Sequence, residues 1–284
     1  MSSATSGPLP LPRGSLVDAD VLLGHYPFRR FPYPHQDPAQ LRDYLQARGI
    51  ARACLSSLHA LFYPDPQQGN DECLPRVAED PFFIPVAVLN PALPAWRRGL
   101  HTSLTRDGVQ MVRLAPSYHG YDLAAPEILD CLAELAAQGL LVSIVKRIED
   151  ERMHPPLMKV PAVENAAILA AALAHPAPLL LHGAYFSDLA DLTPAPNLHV
   201  DLAFIETMDT LAATTALLPP TRLHFSSHAP FFYAEAALSK LDCPQADLSD
   251  RTSIAGDGLL ALLGQASTTI TQSVGHSLPR EHTP

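Results

Sequence analysis

The stretch LLVSIVKRIEDERMHPPLMKVPAVENAAILAAALAHPAPLLLH, residues Leu140 to His182, contains one complete structural unit. It opens on a run apolar but for Ser143, Leu140 to Val145, and closes on another, Pro178 to His182, apolar up to its terminal histidine. Between them lies the Ala- and Leu-rich segment Val163 to His175, long enough for about three helical turns. A strand apolar on both of its faces must be covered on both, and two such strands joined by a helix lie parallel. The stretch therefore reads as a βαβ unit.

Outward from it the same alternation continues in both directions. Upstream, strand candidates fall at Leu16 to Leu23, Ala51 to Ser56, Phe83 to Leu89 and Val109 to Leu114; downstream they fall at Leu198 to Leu202 and Arg222 to Phe225. Helix candidates separate them at Pro38 to Arg48, Asp71 to Ala78, Ala95 to Thr105, Ala125 to Gln138, Glu206 to Leu218 and Tyr233 to Leu241. Asp37 before Pro38, and Asn70 before Asp71, are read as helix caps. Eight strands in roughly 250 residues predict an α/β fold of the (β/α)8 TIM-barrel type. An open doubly wound sheet is the alternative, but it would usually carry a glycine-rich first turn, and the turn here reads GHYPFRR. Residues 1–284 are read as a single barrel domain, with 1–14 and 265–284 as irregular tails.

Composition narrows the function classes. Lys and Arg number 19 against 29 Asp and Glu, a net charge of −10 that speaks against nucleic acid or an anionic membrane as partner. No run approaches the roughly 18 apolar residues of a membrane helix. Cys54, Cys73, Cys131 and Cys243 form no CxxC pattern, which argues against a zinc knuckle or disulfide framework and suits a reducing cytoplasm. Apolar helix faces such as LAATTALL (Leu211–Leu218) serve either the barrel wall or a homodimer interface.

In a barrel of this kind, reactive side chains come from the C-terminal strand ends and the loops behind them. Those positions hold Asp18, Asp20 and His25 from the first strand, and Arg113 from the fourth. They also hold Lys146 and Arg152 after the fifth, His182 on the sixth, Asp201 on the seventh, and His224 and His228 on or after the eighth. The segment Arg147 to Pro161 exceeds the usual length of such a loop, so it is expected to cover the barrel mouth with Arg152 directed into the pocket.

Four of these pieces, in this order, resemble the amidohydrolase-related family of TIM-barrel metal-dependent hydrolases and decarboxylases. They are VDADVLLG at residues 17–24, LLLHG at 179–183, HFSSHAPFF at 224–232 and SIAGDGLLALLG at 253–264. EDERMHP and YPFRR also resemble a divergent branch of that family. The family pattern holds one or two divalent ions with two histidines on the first strand, one on the fifth, one on the sixth and an aspartate after the eighth. Here those positions fall on Asp20 and Leu22, Val145, His182 and His228. Leu22 and Val145 cannot bind metal, so a bimetallic centre is not expected.

What remains is Asp20, His182 and His228. They either hold one divalent cation, zinc by their donor types, or form a hydrogen-bonded cluster with none. The resemblance implies hydrolysis of a small-molecule ester, lactone or amide, or decarboxylation of an aromatic acid. Asp20 or Asp201 would act as base, with His182 and His228 polarising the carbonyl. Arg113, Arg152, His25 and Lys146 would bind substrate. The bland reading of Arg152 is pairing with its neighbours, that of Lys146 is a buried counterion, and that of Asp201 is to orient a neighbour. The alternative function is a non-catalytic barrel that has lost its ligands and binds a small molecule or a partner protein.

Overall fold

The computed structural model describes residues 16–156, 158–242 and 246–264. The tails assigned above, and Cys243, lie outside the described residues. Eight strands form one parallel sheet in sequential order: β1 Leu16–Leu23, β2 Ile50–Ser57, β3 Phe83–Leu89, β4 Met111–Leu114, β5 Leu141–Val145, β6 Leu179–His182, β7 Leu198–Asp201 and β8 Leu223–His224. The sheet closes on itself beyond β8, where the Ala19 amide donates to Phe225 O at 3.0 Å and the Leu22 amide to Ala229 O at 2.8 Å. Helices alternate with the strands, as a (β/α)8 barrel requires.

Two expectations shift in register. The second helix begins at Pro66 rather than Asp71, because Asp65 accepts from the Gln67 amide at 3.0 Å and caps it. Asn70 is therefore inside the helix, where it exchanges two hydrogen bonds with the Val88 backbone and ties that helix to β3. The helix expected over Glu206 to Leu218 is reduced to Thr210–Thr215.

Side chains inside the barrel fall into three storeys. At the N-terminal end, Val17, Ile84, Met111, Leu141 and Leu180 pack with Leu259, Leu262 and Leu263, so the SIAGDGLLALLG segment supplies an apolar floor. At the C-terminal end, Leu22, Val88, Ala115 and Val145 meet Tyr26, Ile148 and Phe231 in a second apolar cluster. Between the two lie Asp20, Ser56, Arg113, Ser143, His182, Asp201 and His224, all without solvent exposure. A polar layer enclosed this way must satisfy its charges internally, because unpaired buried charge is strongly unfavourable.

Candidate functional site

Asp20, His182 and His228 do converge. His228 Nδ1 donates to Asp20 Oδ2 at 2.6 Å, and His182 Nδ1 lies 3.9 Å from the same oxygen. Strand ends impose this meeting: Asp20 sits on β1, which neighbours the segment after β8, and His182 ends β6. Arg113 and Asp201 complete the ring. Arg113 Nη2 donates to Asp20 Oδ1 at 2.5 Å, and His182 Nδ1 lies 2.5 Å from Asp201 Oδ2. Asp201 is anchored in turn, its Oδ1 accepting from the Ala203 amide at 3.0 Å.

Each histidine has a distinct state of engagement. His228 uses both nitrogens, Nδ1 on the Asp20 carboxylate and Nε2 on the Ile148 carbonyl at 2.6 Å. Two acceptors demand two N–H groups, so the ring is an imidazolium. Burial lowers the proton affinity of this imidazole, but the Asp20 charge and hydrogen bond outweigh it and raise its pKa above the ordinary value. Its backbone lies at φ 52, a left-handed conformation that non-glycine residues adopt only when contacts enforce it. His182, by contrast, is engaged through Nδ1, and its buried Nε2 has no hydrogen-bond partner among the described residues.

The carboxylates divide in the same way. Burial pushes the Asp20 carboxyl up, yet the Arg113 guanidinium, helped by His182 and His228, holds it well below the usual carboxylate range. Asp18 lacks such cations, and burial carries its pKa up to about 7 although Oδ1 accepts from the Ser227 amide at 2.9 Å. Arg113 spends one donor on Asp20; its Nε and Nη1 are buried without partners among the described residues.

Asp20, His182 and Asp201 place ligand atoms within 4.8 Å of one another, a donor set of the type that surrounds a metal ion. His228 does not belong to it, since both its nitrogens are N–H donors. Direct ligation would bring nitrogen and oxygen atoms to about 2.0–2.2 Å from an ion such as zinc. The Asp20 oxygens already face Arg113 and His228, and those of Asp201 face His182 and the Ala203 amide. In this arrangement the nearest ligand atoms already have protein partners, which a bound ion would have to displace.

The other expected binding residues stand apart from the ring. Lys146 is buried, but its ammonium is committed to Val163 O at 2.7 Å and Asn165 Oδ1 at 2.6 Å, with Asp188 at 3.6 Å. It is a counterion and anchor for the loop after β5. Arg152 is 88% exposed and grips Asp150 through two hydrogen bonds of 2.8 and 2.7 Å, so it belongs to the rim rather than the pocket floor. His25 is exposed, and its amide rather than its ring is engaged, with His59 Nε2 at 2.8 Å.

The loop after β5 does cover the mouth, through its opening residues Ile148 and Glu149. Buried Glu149 receives a hydrogen bond from the Tyr26 hydroxyl and pairs with Arg29 at 2.9 Å. Beside this plug opens a cleft of about 830 Å³ lined by Asp150, Arg152, Tyr185, Phe186, Phe204 and Phe232. The Phe204 and Phe232 rings, 5.0 and 5.4 Å from the His228 ring, separate the cleft from the polar layer. Sequence reading missed Glu149 as a partner of Tyr26, and missed the Phe204 partition, because neither contact is local and neither residue type is diagnostic.

No family model and no curated protein matches the chain. Among solved structures, it is similar to dihydroxybenzoic acid decarboxylase from Polaromonas sp. JS666, which carries manganese and the inhibitor 2-nitroresorcinol. The two share 14% identity and a TM-score of 0.64 over 88% of this chain and 96% of the other. A 5-carboxyvanillate decarboxylase from Novosphingobium aromaticivorans, complexed with manganese, gives 10% identity and a TM-score of 0.66 over 93% of this chain and all of the other. An amidohydrolase from Mycobacterium avium subsp. paratuberculosis gives 15% and 0.60 over 81% and 74%. Identities this low carry fold alone: the chain shares the barrel fold of these proteins, the fold that the resemblance in sequence implied.

Proposed function

We propose that the protein is an amidohydrolase-like enzyme that hydrolyses a small-molecule ester, lactone or amide with its own ionic side chains. The observation that carries this reading is the His182–Asp201 pair: a carboxylate fixes one imidazole nitrogen and leaves the other, Nε2, buried and unpartnered. That is the arrangement of a general base oriented by an acid. Substrate would rest in the cleft and reach the ring when Phe204 and Phe232 swing aside. His182 Nε2 takes a proton from water as the water oxygen bonds to the acyl carbon. The carbonyl oxygen, now negative, accepts from Arg113 Nε and Nη1. Collapse breaks the acyl bond to the leaving group, which receives the proton from His182. Asp20 keeps Arg113 in place and does not itself transfer the proton, since both its oxygens are held by cations.

A panel of lactones, esters, amides and aromatic acids, assayed with the wild-type chain and His182→Gln, tests the proposal. Turnover of an acyl compound that falls about 10²-fold or more in the variant supports it. Turnover confined to aromatic acids, with carbon dioxide released, would replace hydrolysis by decarboxylation, the chemistry in the names of two similar structures.

The second reading is a barrel that binds without reacting. The apolar closure of the mouth by Leu22, Val145, Ile148, Tyr26 and Phe231 favours it. Binding of a small molecule in the cleft, with no turnover across the panel and no change on His182→Gln, would establish that reading instead.

A further inference from the structure

The polar layer contains its own substitute for a metal. We infer that the Arg113 guanidinium and the His228 imidazolium together stand in for the divalent ion found in barrels of this kind, and that the centre is complete without one. The inference concerns the charge at the centre and holds under either functional reading.

Three observations support it. First, Asp20 is the carboxylate at the heart of the ring, and each of its oxygens faces a cation: Arg113 Nη2 at 2.5 Å from Oδ1 and His228 Nδ1 at 2.6 Å from Oδ2. Second, both cations are fixed by the fold. Arg113 is fully buried on β4, and His228 is held at its far side by the Ile148 carbonyl at 2.6 Å. Third, the positions that would complete a metal shell have become wall. Leu22 stands two residues after Asp20, and Val145 lies opposite His182 in the β5–β6 register; both are buried in the apolar cluster of the mouth.

The charges make the arrangement exclusive. Asp20 faces both Arg113 and His228, while Asp201 faces His182 and the Ala203 amide, so these two carboxylates are matched in number by the two cations on Asp20. A divalent ion among the same carboxylates would sit against a guanidinium that cannot lose its proton and an imidazolium bound to two acceptors. Either the ion or the protein cations must leave, and Arg113 has no solvent-exposed atoms through which to leave. The guanidinium also offers what an ion offers a reacting carbonyl. Its Nε and Nη1 are buried, carry hydrogen and have no hydrogen-bond partner among the described residues, so they can donate to an oxygen that gains negative charge.

The test uses the full chain purified without chelator and dialysed against Mn²⁺ or Zn²⁺, with metal content and thermal unfolding as readouts. The expected result is under about a tenth of an equivalent of retained metal, and a Tm that metal or EDTA moves by less than about 1 °C. One equivalent of ion that raises Tm, with both effects lost in His182→Ala, would overturn the inference. A double-mutant cycle measures the substitution directly. Arg113→Met leaves Asp20 Oδ1 buried without its cation, with only His228 left on Oδ2, and Asp20→Asn leaves the Arg113 guanidinium buried without its carboxylate; each should lower Tm by about 10 °C or more, and the double variant should recover at least about half of that loss. If Arg113→Met does not fold, comparison of the double variant with Asp20→Asn still decides. A double variant no more stable than Asp20→Asn would show that the two charges are not coupled, and the inference fails. These readouts need no substrate, so their failure is distinguishable from failure of the hydrolytic proposal.

Discussion

His182 Nδ1 lies 2.5 Å from Asp201 Oδ2, and both side chains are buried, so the carboxylate fixes which imidazole nitrogen is free. Asp201→Asn preserves the shape but can present an N–H to the ring and favour the wrong tautomer. On any substrate that the wild type turns over, kcat should fall by about 10²- to 10⁴-fold with little change in KM. Steady-state kinetics on the variant check this.

Asp18 gives the stability curve a defined slope. Its folded pKa of about 7 is raised above the ordinary 3.8 by burial, so between these values the folded state holds a proton that the unfolded state has lost. Stability therefore falls as pH rises through this window and the cost is constant above it. Asp18→Asn removes the ionisation while leaving an oxygen for the Ser227 amide. Its Tm gain over wild type should be larger at pH 8 than at pH 5, as thermal melts at the two values would show.

His224 acts in the opposite direction. Burial, reinforced by His199 and His182, lowers its pKa to about 3, and its Nε2 lies 3.0 Å from His199 Nδ1. A base with a depressed folded pKa contributes stability that is present above its unfolded value near 6.5 and is lost as pH falls toward 3. His224→Gln should flatten the loss of stability between pH 6.5 and 4, measured by urea titration across that range.

Gly183 follows directly on His182 with φ +82, and a Cβ there would meet the Arg147 carbonyl oxygen at 2.5 Å. Gly183→Ala should cost about 1–3 kcal/mol. It should also displace the loop that carries Ile148, exposing the His228 ring. Denaturant melts, with diethyl pyrocarbonate labelling of His228 followed by mass spectrometry, check both effects.

Phe204 is the partition between the cleft and the ring. Phe204→Ala should destabilise the fold by about 3–5 kcal/mol and open the polar layer to solvent. The expected outcome is rapid labelling of His182 by diethyl pyrocarbonate in the variant and protection in the wild type.

Barrel architecture was legible because it is written in periodicity. β1 and β3 span the expected residues, β2 runs one residue further at each end, and the remaining strands are one or two residues shorter at one or both ends, where apolar character outlasts backbone pairing. The convergence of Asp20, His182 and His228 was also legible, since strand ends in a closed barrel must meet whatever the chain length between them. The roles were less so. Lys146 and Arg152 look alike in sequence as free cations near a strand end, yet one is buried against Val163 and Asn165 and the other is clamped to Asp150 on the surface.

The amino-acid order alone determined the number of strands and their parallel alternation with helices. Those are local properties, set by side-chain polarity at successive positions. Tertiary structure alone decided that Arg113 reaches Asp20, that His228 finds a second acceptor in Ile148, and that Phe204 closes the cleft. Each of these depends on where residues far apart in the chain are brought within a few ångströms, and on a buried site that forces every charge to find a partner.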